Sequence, residues 1–124
     1  MIYNVIFTEY KTHTSFLNLS KEEFFKKLWE WTYEDDLWDY FLDEPEALEK
    51  DNIEDLEDWL WNCFIPDSVF HEYEEDTINC YAFVVSSSID GSITVKDYYF
   101  NQDLVNFILG KIEKKYDKKL VNND

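Results

Sequence analysis

The groups in this 124-residue chain that could do chemistry are overwhelmingly carboxylates. Fourteen lie between residues 30 and 58: Glu30, Glu34, Asp35, Asp36, Asp39, Asp43, Glu44, Glu46, Glu49, Asp51, Glu54, Asp55, Glu57 and Asp58. Lys50 alone opposes them, so the stretch carries a net charge of −13. A second knot follows at Glu72, Glu74, Glu75 and Asp76. Paired carboxyls can hydrolyse glycosides, but that needs two of them held across a sugar pocket, and nothing in the spacing selects a pair. The two histidines are His13, among hydroxyl residues, and His71, beside Glu72. His71, Glu74, Asp76 and Cys80 could meet at a metal on paper, yet their spacing matches no known ligand pattern. No sharp glycine-flanked turn presents a nucleophile. With only two glycines there is no phosphate-cradling loop. Pro66-Asp67 resembles the start of a nuclease motif, but no Asp/Glu-x-Lys follows it on a predicted strand. The expectation is a protein that is not an enzyme, with no catalytic residues, no metal and no cofactor.

Charge excludes more. The chain has 28 Asp plus Glu against 11 basic residues, all of them Lys, for a net charge of −17. Such a molecule repels nucleic acid and anionic lipid at long range and draws in basic proteins. A halophile-type surface is the other source of so much acid, and 24 Trp, Tyr and Phe residues and a Lys-rich C-terminus fit it poorly. Like charges three or four apart on a helix cost about 0.2–0.5 kcal/mol per pair. Concentrating the acid is therefore unfavourable for folding and points to a purpose beyond solubility. All five tryptophans, Trp29, Trp31, Trp38, Trp59 and Trp61, lie in or beside the acidic block. A 3.6-residue turn cannot aim both Trp59 and Trp61, or both Trp29 and Trp31, at one core stripe. At least one of each pair is expected to be partly exposed, where a ring beside carboxylates suits a Lys or Arg surface. The expected partner-binding set is Glu34, Asp35, Asp36, Asp39, Asp43, Asp51, Glu54, Asp55 and Asp58, with Trp38 and Trp59.

The elements that must position these residues read as α+β. Ile2 to Tyr10 is β-branched and aromatic and predicts a strand; Lys11 to Asn18 is polar and predicts a loop. Ser20 and Glu23 form a capping box, with Leu19 and Phe24 as a hydrophobic staple, ahead of a helix over 21–33. Residues 36–42 predict a short helix with Leu37, Tyr40 and Phe41 inward, and Pro45 suits the first turn of another. Asp51 or Asn52 is expected to cap a third helix whose inner face is Ile53, Leu56, Leu60, Cys63 and Phe64, ended by Pro66. A connector over 66–76 follows. Strands over 78–89 and 92–100 around Asp90-Gly91 predict a two-residue hairpin that sets Val85 opposite Lys96 and Phe83 opposite Tyr98. Asn101 is expected to cap a last helix with one stripe of Leu104, Ile108 and Ile112 and a second of Val105, Leu109 and Tyr116, and with Lys111, Lys114, Lys115, Lys118 and Lys119 at its end.

The sum is a small three-stranded antiparallel sheet, the N-terminal strand plus the C-terminal hairpin, packed with several helices. It is expected to form one domain over 1–120 with a frayed tail at 121–124. Cys63 and Cys80 predict buried free thiols. The first residues lack a secretory signal, and the longest apolar run, Cys80 to Val85, is too short for a bilayer, so the expected setting is cytoplasmic. In physical strategy the profile is similar to two groups: phage-encoded acidic inhibitors that mimic nucleic acid, of the anti-restriction and anti-CRISPR kind, and immunity proteins that plug basic nuclease toxins. No motif of either is present, so no residue roles carry over. The expected partner is a basic protein that handles nucleic acid. A non-inhibitory adaptor is the remaining alternative, and the sequence leaves the oligomeric state open.

Overall fold

A computed structural model of the chain describes residues 2–72, 77–85, 93–95 and 101–120. The elements run β1 (Ile2–Glu9), β2 (Thr12–Leu19), α1 (Lys21–Glu30), α2 (Glu34–Asp43), 3-10 turns at Pro45–Leu48 and Lys50–Asn52, α3 (Ile53–Trp59), a π-helical continuation Leu60–Val69, β3 (Ile78–Val85), β4 (Ile93–Val95) and α4 (Asn101–Tyr116). The sheet is antiparallel, in the order β2-β1-β3-β4. The α+β class is thus as the sequence predicts. The Asp90-Gly91 turn, the acidic residues Glu74 to Asp76 and the tail 121–124 lie outside the described residues.

The sheet gains a strand where a polar loop was expected. β2 folds back on β1 through Tyr10 and Lys11, with Glu9 opposite Thr12 and Tyr10 at φ 55°. Neither residue is a usual hairpin-turn type, so the turn left no mark in the sequence. Farther along, Tyr3 pairs with Leu19 but Val5 with Phe16, so β2 carries an extra residue opposite Asn4. Asn18 takes up this bulge at φ 60°, and its N–H donates to Asn4 Oδ1 at 3.0 Å. Asn is among the few side chains that tolerate left-handed backbone. At the other edge the register differs from expectation. Val85 pairs with Ile93 and Phe83 with Val95, three residues short of the predicted partners. This pairing sets Val84 and Val85 against Thr94 and Ile93, all residue types that favour extended backbone.

One face of the sheet is covered. Tyr3, Val5 and Phe7 of β1 and Cys80 and Ala82 of β3 join a core with Phe24, Phe25 and Leu28 of α1, Leu37 and Phe41 of α2, Leu56 of α3 and Leu104, Ile108 and Ile112 of α4. The capping box at Ser20 and Glu23 forms as expected, both bonds at 3.2 Å. α1 stops at Glu30 rather than Tyr33. The Thr32 hydroxyl bonds back to the Leu28 carbonyl at 2.8 Å, and the Trp31 ring stacks on Phe7 with centroids 4.5 Å apart.

The third helix differs most from expectation. Pro66 does not end it; it lies inside the π segment that continues α3. Bonds from i to i+5 widen the turn. The buried positions consequently shift from Leu56 and Leu60 to Phe64, Ile65, Ser68 and Val69. Cys63, predicted to face inward on an α-helical phase, is rotated out and exposed, while Cys80 is buried; both thiols are free. Ile53 is only partly buried. Asn52 makes no side-chain cap; its amide donates to the Glu46 carbonyl at 2.8 Å. Two residues beyond the segment, His71 is buried at φ 51°, and its Nε2–H donates to the Trp31 carbonyl at 2.6 Å.

Candidate functional site: an acidic helical surface

The acidic surface is built by α2, the Pro45 turn and α3. The first turn of α2 holds Glu34, Asp35 and Asp36, where carboxylates complement the helix dipole. It is pinned from behind by Ser68, whose carbonyl accepts from the Tyr33 N–H at 3.0 Å and whose hydroxyl donates to Asp36 Oδ2 at 2.8 Å. Leu37 and Phe41 face the core. With those two inward, Asp35, Asp39 and Asp43 fall at four-residue steps along the outer ridge, all exposed. Such a step is about 6 Å, shorter than the Debye length of about 8–10 Å in ordinary buffer, so their fields overlap. Leu42 stands on the same exposed side at 77% exposure. Leu42 is not in the predicted partner-binding set.

After α2 the chain turns through Pro45 and brings three carboxylates to one place. Glu44, Glu46 and Asp55 line a cleft of about 280 Å³ with Tyr40, Ala47, Asn52 and Leu56. The carboxyls of Glu44 and Glu46 share a hydrogen bond; that bond, then the Glu46 charge, holds Glu44 above the usual carboxylate range, and the same bond, then one to the Glu46 backbone, holds Glu46 below it. Burial first, then the charges of Glu44 and Glu46, pushes the Tyr40 phenol up. Trp59 stacks on Tyr40, with centroids 3.7 Å apart and planes 8° from parallel. This is a negative, aromatic-floored cleft of a kind that suits a cationic side chain.

The remaining predicted residues do not all join it. Asp51, Asp55 and Asp58 were expected on one helix face, but Asp51 precedes α3 on a 3-10 turn. It lines a different groove, with Glu49, Lys50, Lys118 and Lys119, where lysines offset the acid. Asp58 lines a third, with Glu57, Trp61, Gln102 and Val105. Glu54 is exposed on α3. The five tryptophans are all half-buried, and several are covered by the chain itself. Lys111 lies over Trp29 at 5.8 Å and Lys115 over Trp38 at 5.1 Å, with Trp38 also packed edge-on to Tyr116. Trp38 and Trp59, predicted as anchors for a partner, thus make internal ring contacts. Glu44, Glu46 and Tyr40 were not in the predicted set; two glutamates flanking a proline at the end of a helix are the signal that was available.

The lysines leave the acid largely alone. Among the described residues the ion pairs are Lys21 with Asp103, Lys26 with Glu22 and Lys27 with Glu30. None reaches a carboxylate between Glu34 and Asp58. Ser68 is buried, and its hydroxyl is engaged by Asp36. Among the described residues no group of three or more His, Cys, Asp or Glu is arranged to hold a metal ion, and no helix is long and apolar enough to cross a membrane. No family model, no curated protein and no solved structure matches the chain.

Proposed function

We propose that the chain is a cytoplasmic inhibitor that seats α2, the Pro45 turn and α3 in the basic groove of a nucleic-acid-handling protein, in the manner of anti-restriction and anti-CRISPR proteins. The observation that carries this reading is the unpaired acid: from Glu34 to Asp58 the described lysines make no ion pair with the carboxylates. Their charge is free to act outward. Asp35, Asp39 and Asp43 supply a row of negative groups, the cleft at Tyr40 receives one Lys or Arg side chain, and Leu42 adds an apolar contact at the centre of the charge. Recognition of this kind is fast and salt-sensitive.

The test uses purified basic-groove proteins, among them a restriction endonuclease, a guide-RNA effector and a nuclease toxin, each loaded with labelled DNA or RNA. The expected result is displacement of the nucleic acid from at least one of them. Affinity should fall at least about tenfold between roughly 50 and 200 mM salt. It should fall about as much again in the triple variant Asp35→Asn/Asp39→Asn/Asp43→Asn, with the fold intact. Neutralisation of a single nuclease toxin and nothing else would favour the immunity-protein alternative. Binding unaffected by salt and by the triple variant would refute an electrostatic inhibitor and leave an adaptor.

A further inference from the structure

We propose that the Trp38 ring is a docking face for an arginine side chain of the partner, which Lys115 covers in the free protein. The inference deepens the proposed function and rests on it. Trp38 lies on α2 three residues after Asp35 and four before Leu42, so it flanks the exposed ridge of Asp35, Asp39 and Asp43. The ring is half-buried. Tyr116 packs against it at 69°, with centroids 6.1 Å apart, and the Lys115 ammonium stands over it at 5.1 Å. One turn earlier on α4, Lys111 lies over Trp29 in the same way, at 5.8 Å. Among the described residues neither lysine makes an ion pair. A chain with 28 carboxylates therefore sets these two ammonium groups on rings rather than on acid. The Trp38 ring thus already seats a cation, and it does so at the border of the acidic ridge.

The seat is easily vacated. Lys115 is exposed, hangs on a flexible four-carbon stem and gains little from a ring at the surface. A guanidinium is the better guest. It is planar and more weakly hydrated than an ammonium, and it stacks on an aromatic face. Its fork of N–H donors also suits the carboxylates of the ridge beside the ring. An incoming lysine only replaces like with like. Lys115 is therefore a threshold that an arginine passes and a lysine does not, and it biases the acidic surface toward arginine-lined grooves.

Fluorescein-labelled octa-arginine and octa-lysine, titrated with the protein at about 50 mM NaCl and followed by anisotropy, test this. Lys115→Ala should tighten octa-arginine binding about two- to fivefold more than Lys114→Ala does. The control removes the same charge from an exposed neighbour that has no ring contact among the described residues. Trp38→Leu should abolish the difference between the two lysine variants and reduce the preference for octa-arginine over octa-lysine. Equal affinity of the two lysine variants would overturn the seat, as would a preference for arginine that survives Trp38→Leu undiminished. Should Trp38→Leu fail to fold, the two lysine variants decide alone. Failure of both peptides to bind the natural protein would refute the acidic binding surface itself, and the seat with it.

Discussion

Tyr10 is 82% exposed and holds φ at 55°, in a backbone region that costs an ordinary residue roughly 1–2 kcal/mol. Nothing in its contacts offsets that as an Asn side chain would. Tyr10→Asn should therefore stabilise the protein by about 0.5–1 kcal/mol in urea unfolding. Two glutamates titrate in opposite senses. The hydrogen bond with Glu46 and that residue's charge hold the Glu44 carboxyl above its ordinary value, so the folded state binds that proton more tightly than the unfolded one. This contribution is present in acid and lost as pH rises through the raised value. Glu44→Gln should raise the thermal midpoint at pH 7, and the gain should vanish near pH 4. The bonds from Ser20 lower Glu23, so its contribution is present at neutral pH and lost as pH falls through the lowered value. Glu23→Gln should cost stability at pH 7, with the deficit closing in acid. A parallel pH dependence for the two variants would contradict this pairing.

At the scale of elements, like charges on α3 oppose folding. Glu54 and Asp58 lie one turn apart, and no described lysine forms an ion pair with either. Glu54→Gln/Asp58→Asn should gain about 0.2–0.5 kcal/mol at low salt and nothing in 1 M NaCl. Some elements were legible because their signals are local. Ser20 and Glu23 mark the start of α1 through their own side-chain bonds, and the Leu104, Ile108 and Ile112 stripe marks α4 by periodicity. Others depend on tertiary context. β2 is held by β1 rather than by propensity, and its Tyr10-Lys11 turn has no glycine to announce it. The π segment is invisible because a shift from i+4 to i+5 bonding moves the buried face without changing the residues. That shift turns Cys63 outward, away from the inner face that an α-helical phase gives it.

For the whole molecule the acid was plain from composition, but its arrangement was not. A linear count places Asp51, Asp55 and Asp58 together; the fold sends them to three grooves and brings Glu44 and Glu46 to Asp55 instead. Six like-charge pairs at helical spacing on α2 and α3 amount to about 1–3 kcal/mol of repulsion. The thermal midpoint should therefore rise by about 5 °C or more between 50 mM and 1 M NaCl. A flat response would mean that the carboxylates are too far apart to act as one surface.

The extra residue in β2 bears on the fate of the protein in concentrated solution. Thr12 to Leu19 is an outer strand bearing neither proline nor a formally charged side chain, the sort of border that recruits further chains into fibrils. Asn18 kinks it and interrupts the ladder that an incoming strand would copy. Straightening that kink, for instance with Asn18→Val, should convert stored protein into thioflavin-positive aggregates that the natural sequence does not form.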